Sequence, residues 1–137
     1  MTSQDLMTSQ DLRARDLLGD WRKTCLFYCV PTAAIVVAGA LPLTEAWRGA
    51  VWAAACAAMG AACLANALRC GRVHCYFTGP FLLAMAALSA LYGLGLVPLG
   101  RGGWNWIGLA LLVGSALLIL APEAIAGRYR RGRRAEA

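Results

Sequence analysis

Apolar residues fall along this chain in four long runs separated by short polar breaks. The first reads C-L-F-Y-C-V-P-T-A-A-I-V-V-A-G-A-L-P-L from Cys25 to Leu43. The second covers about Ala50 to Leu68, the third Pro80 to Val97, and the fourth Trp104 to Ile125. Each approaches the ~20 residues that carry a helix across ~30 Å of hydrocarbon. Thr44 to Gly49 and Leu99 to Gly103 are short connectors, and short connectors make consecutive helices antiparallel neighbours. The pattern predicts an all-α membrane protein. Its core is an up-down bundle of four transmembrane helices over residues 25–126, preceded by a polar N-terminal segment (1–24) and followed by a basic tail (127–137).

Local signals refine the spans. Pro31 falls inside the first and is expected to kink it or to leave a carbonyl seeking another partner. Thr78 or Gly79 is the expected cap of the third span, with Pro80 in its first turn. In the second, Ala53, Ala57, Ala61 and Ala65 recur every four residues, beside Ala54, Ala58 and Ala62. This is either a face for close helix packing or plain apolar filling by alanine.

Composition agrees with this picture. Of 137 residues, 60% are apolar and 15% charged, against ~25% charged in ordinary soluble domains. No room is left for a separate soluble catalytic domain. The net charge of +6 lies at the ends of apolar segments, where membrane topology uses it, so nucleic acid is not an expected partner. A mixed-charge stretch precedes the first apolar run, and no cleavable signal peptide is expected. MTSQDL occurs at 1–6 and again at 7–12, which reads as a duplicated start and not as repeat architecture.

Eleven of the thirteen Lys and Arg lie on one side of the predicted topology: Arg13, Arg15, Arg22 and Lys23, then Arg69 and Arg72, then Arg128, Arg130, Arg131, Arg133 and Arg134. Only Arg48 and Arg101 lie on the other. The positive-inside rule predicts both termini and the central connector in the cytoplasm of a bacterial inner membrane. Trp47, Trp52, Trp104 and Trp106 are expected at the outer interface, and Trp21, Tyr28, Tyr76 and Tyr129 at the inner one.

The candidate chemistry is sulfur. The connector N-A-L-R-C-G-R-V-H-C-Y-F-T-G-P, residues 66–80, holds Cys70, Cys75 and the single histidine, His74. Cys25 and Cys29 share a helical face. Cys56, Cys63 and Cys70 are spaced by seven and share another, about 10.5 Å apart by helix rise. Cys25, Cys29, Cys70, Cys75 and His74 are predicted to converge near the cytoplasmic interface, with Cys63 two turns deeper. Thiolates select soft ions such as Hg(II) or Cu(I), and Arg69 and Arg72 favour the thiolate of Cys70. The competing reading is that cysteine is a small apolar filler, strongest for Cys56 and Cys63. The C-x4-C spacing is not that of a zinc finger. Asn66 is expected to bond across helices. Glu123 is either functional or paired with Arg128 and Arg130, and Ser89 and Ser115 are expected to back-bond to their own helices. No catalytic set is recognisable, and no enzyme is expected.

The 66–80 run is followed by a glycine-containing third span, a Trp-rich start to the fourth and Pro122-Glu123 near its end. Together these resemble a group of small bacterial membrane proteins associated with mercury resistance, over roughly Asn66 to Arg130. In layout the chain is also similar to the mercuric-ion importers of bacterial inner membranes. Those carry one cysteine pair in the first span and another in the cytoplasmic loop between spans two and three. The resemblance implies Cys25 and Cys29 as the first pair and Cys70 and Cys75 as the second. Two departures stand out: the first pair is C-x3-C where the importers' is usually vicinal, and Cys56 and Cys63 are additional.

The expected function is an importer that passes a thiophilic ion, Hg(II) before others, between thiol pairs to a cytoplasmic acceptor such as a reductase. No permanent cofactor is expected, and a homo-oligomer is an open expectation. Two alternatives stay open: a metal-binding membrane sensor or assembly factor without transport, and a thiol–disulfide oxidoreductase.

Overall fold

The computed structural model describes residues 21–70 and 73–126, excepting the side chains of 70 and 122–126. The secondary structure of these residues is helical: α1 Trp21–Ala40, α2 Glu45–Cys70, α3 Val73–Gly93 and α4 Gly103–Ala126. All four are long and apolar enough to cross a membrane. Residues 1–20, residues 71–72 and the basic tail 127–137 lie outside the described residues.

The helices are offset from the apolar runs, for identifiable reasons. α1 starts at Trp21, inside the segment expected to be polar, and ends at Ala40 before Pro42. α2 starts five residues before Ala50, because Thr44 caps it and its Oγ1 accepts the backbone N–H of Trp47 at 3.4 Å. Glu45 then occupies the first turn, where the helix dipole favours an acid. The 66–80 run is not a loop: α2 continues through Cys70 and α3 begins at Val73, so Pro80 is interior to α3. α3 stops early as well. Leu96 N–H bonds Leu91 O at 2.9 Å and Gly95 N–H bonds Tyr92 O at 2.9 Å. With Gly95 at φ 74°, this is a Schellman ending that needs a left-handed residue.

Pro31 leaves its mark as a single π-turn. Cys25–Cys29 is wound with i→i+5 bonds, and Val30 N–H bonds Cys25 O. A proline removes one N–H and crowds the carbonyl four residues back. The wider turn just before it accommodates both effects, and π-turns recur at functional sites.

α2 and α3 form the closest pair. The buried face of α2 runs Gly49, Trp52, Cys56, Met59, Cys63 and Asn66, a strict three–four alternation, and that of α3 includes Cys75, Thr78, Leu82, Met85 and Ser89. Two glycine contacts set the distance. A Cβ on Gly93 would meet Gly49 Cα at 2.7 Å, and one on Gly60 would meet Gly79 O at 3.0 Å. The expected alanine stripe is not this face: Ala54, Ala58, Ala61 and Ala65 are exposed. Ala53 and Ala57 are half-buried and Ala62 is buried, so the alanine stripe lies at the margin of an interface centred on the sulfur-bearing stripe.

α1 and α4 flank this pair antiparallel to their neighbours, each with only 11% of its apolar window buried. One cluster ties their ends to it at the α1–α2 turn. Arg48 Nε donates to Ala38 O at 3.3 Å and its Nη2 to Leu41 O at 3.2 Å, closing the C-terminus of α1. Its guanidinium is 3.6 Å from Glu45 and 5.7 Å from the Trp104 ring centre. Trp104 Nε1 donates to Glu45, and its ring meets Trp52 and Tyr92 edge-on at 5.2 and 4.9 Å. Trp52, expected at the interface, is thus a core residue at 6% exposure, whereas Trp47 and Trp106 are exposed.

Valine at Gly93 is expected to cost on the order of 1–3 kcal/mol by overpacking, while valine at Ala61 should stay within about 0.5 kcal/mol. Unfolding in graded SDS measures both. Equal losses would contradict the glycine contact.

Candidate functional site

Every described thiol is unoxidised. The thiols sort into two groups at the end of the molecule where α2 meets α3. On α1, Cys25 is half-buried and Cys29 exposed, four residues apart along the helix. Cys29 lines a shallow apolar groove with Tyr28, Thr32, Ala33, Val36 and Val37. Both residues lie in the π-turn that precedes Pro31.

The second group is buried between α2 and α3. Cys75, in the first turn of α3, is fully buried. Asn66 Nδ2 donates to its Sγ at 3.8 Å from α2, and His74 Nε2 lies 3.4 Å away. Asn66 and His74 are themselves buried, at 0% and 5% exposure. Tyr76 donates its hydroxyl to Ala67 O at 3.0 Å, a second tie between the same two helix ends. Cys63 is buried one turn from Asn66, with its Sγ 3.0 Å from the Tyr28 hydroxyl of α1. Cys56 is buried deeper in the same core cluster.

Of the five ligands expected to converge, Cys70 has its side chain outside the described residues, and the other four fall in the two groups above. Among the described residues no three His, Cys, Asp or Glu side chains stand close enough to hold one metal ion. Cys75 and His74 were expected in an open connector, but α3 begins before them and turns them into its packed face. Cys70 ends α2, and its side chain lies outside the described residues, as do those of Glu123, Arg128 and Arg130. Asn66 does bond across helices, as intramembrane amides should. Ser89 does not behave as expected: its hydroxyl, like that of Thr78, is buried without a hydrogen-bond partner.

The arrangement is suited to two-coordinate chemistry. A linear bis-thiolate complex needs two sulfurs and nothing more, which the Cys25–Cys29 pair supplies at a surface. A thiol flanked by an amide donor and an imidazole, as Cys75 is, has groups to receive its proton or to steady its anion. Sequence reasoning missed Tyr28 and Tyr76, treating them only as interface markers, and no spacing rule in the sequence would have found either contact.

Comparison with family models, curated proteins and solved structures finds no match to this chain.

Small maleimides are expected to modify Cys25 and Cys29 in the folded protein, and Cys56, Cys63 and Cys75 only after denaturation. Peptide mass mapping reads this out directly. Early labelling of Cys75 would contradict its burial.

Proposed function

We propose that this chain is an inner-membrane carrier for a thiophilic ion, Hg(II) before others, working by exchange between thiols. The observation that carries the reading is the paired, surface-facing sulfurs of Cys25 and Cys29 on the π-turn of α1. The ion binds first at this pair. It then passes toward Cys75, where Asn66 and His74 manage the proton that ligand exchange displaces, and leaves through Cys70 to a cytoplasmic acceptor. Soft-ion selectivity comes from the thiolates. The buried polar contacts at Cys75 support the reading because an amide and an imidazole are an expensive choice for a filler site in a membrane interior.

The direction is inward if the α2–α3 junction faces the cytoplasm, as the distribution of Lys and Arg favours. Both termini then lie on that side, with the Arg48–Trp104 cluster at the outer surface. The sensor reading shares the same ligands but predicts binding without movement.

Bacteria lacking mercuric reductase should accumulate Hg(II) and become hypersensitive when they make this protein. Cys29→Ser and Cys75→Ser should each return uptake to background. Full uptake in both variants, with the protein in the membrane, would sink the exchange mechanism. For the topology, a fluorescent protein fused at the C-terminus should fold and fluoresce, and alkaline phosphatase inserted at residue 98 should be active; the reverse pattern inverts the direction.

A further inference from the structure

Tyr28 joins the two thiol groups. It lies on the π-turn between Cys25 and Cys29 and forms part of the groove wall with Cys29 and Thr32. Its hydroxyl reaches Cys63 Sγ on α2 at 3.0 Å. Cys63 is 1% exposed, so Tyr28 borders both the groove that holds the exposed sulfur and the core that holds the buried one. One turn along, Thr32 Oγ1 reaches Met59 Sδ at 3.8 Å. The contact between α1 and α2 is therefore a pair of hydroxyl–sulfur contacts, not an apolar seam alone. Thr78, whose hydroxyl has no partner, precedes the Gly79 that packs on Gly60, so a spare hydroxyl is buried in the α2–α3 interface.

We infer that Tyr28 is a gate and Cys63 the thiol behind it: moving the Tyr28 hydroxyl off Cys63 lets that sulfur take a soft ion from the Cys25–Cys29 pair. The inference rests on the reading of that pair as the first holding site. In the exchange, the metal–sulfur bond to Cys63 forms as the bond to Cys29 breaks. The proton of the Cys63 thiol ends on the released Cys29 sulfur. Two metal–thiolate bonds and one thiol are present before and after, so charge is conserved and no oxidant or reductant takes part. A phenol suits the gate because it can either donate a hydrogen bond to the sulfur or accept one from the thiol. It also stays neutral in a setting where a charged side chain would be costly. Cys63 joins Cys25–Cys29 to the Asn66–Cys75 contact because Cys63 and Asn66 lie one turn apart on the buried face of α2.

The test uses the full chain in lipid nanodiscs with Cys56, Cys70 and Cys75 changed to serine, leaving Cys25, Cys29 and Cys63. One equivalent of Hg(II) is added. Samples are denatured at intervals, alkylated and mapped by mass spectrometry, so that a metal-bound cysteine shows as an unmodified one. Cys25 and Cys29 should be protected at once and Cys63 later, at the expense of one of the pair. Tyr28→Phe should speed the second phase a few-fold and at most about tenfold, the weight of one hydrogen bond, while leaving the first phase unchanged. Cys63→Ser should leave the first phase intact. If Cys63 is never protected, or if its rate is unchanged by Tyr28→Phe, the gate is overturned and the pair reading stands. If Cys25 and Cys29 are themselves unprotected, the pair reading fails and takes the gate with it.

Discussion

The close approach of α2 and α3 is the constraint on which the rest of the molecule depends. Lipid gives two apolar helices little reason to associate by hydrophobicity, so association rests on contact and on hydrogen bonds. Gly49 against Gly93 and Gly60 against Gly79 let the backbones meet at both levels of the pair. That spacing is what allows Asn66 to reach across to Cys75 and Tyr76 to reach back to Ala67. Wider separation by a single side chain would remove both contacts.

The two ends of the pair are held differently, and the difference suits a carrier. At one end Arg48 satisfies two C-terminal carbonyls of α1, pairs with Glu45 and lies over Trp104, so its guanidinium is held from several sides at once. At the other end α1 touches α2 through the Tyr28 and Thr32 hydroxyls on sulfur. Hydrogen bonds to sulfur are weak, and such a seam opens more readily than the arginine cluster.

How much of this was legible follows from which forces each feature obeys. Four helices and their order were readable because apolar length is a one-dimensional property, and bilayer thickness sets the threshold. The helix ends were not, because Thr44, Gly95 and the continuation past Asn66 depend on local hydrogen bonds that hydropathy does not register. The seven-residue spacing of Cys56 and Cys63 was read correctly as one face, while the alanines beside it left close packing and plain filling both open. Small size allows close approach on any face, and only the partner helix decides which face is used. Placing Cys75 and His74 in a loop had the same origin: arginine and glycine nearby looked like a connector, whereas only residues 71–72 separate the end of α2 from the start of α3. The Cys25–Cys29 pair was visible as an i, i+4 spacing. Its π-turn was foreshadowed only by Pro31, and Tyr28 was not visible as a contact at all.

Charge decides which soft ion this arrangement favours. The interior of the α2–α3 pair contains thiols, thioethers, an amide, an imidazole and hydroxyls, but no buried carboxylate, Lys or Arg side chain among the described residues. Two thiolates cancel the charge of Hg(II), so its two-coordinate complex is neutral and can move inward without the cost of burying an ion. The same two thiolates around Cu(I) leave a net negative charge, and no Lys or Arg among the described core residues offsets it. A third ligand would make that balance worse if it were another thiolate. On the proposed reading, two thiolates at a time let a divalent soft ion pass from pair to pair as an uncharged species, with the Tyr28 phenol hydrogen-bonded to the sulfur in between.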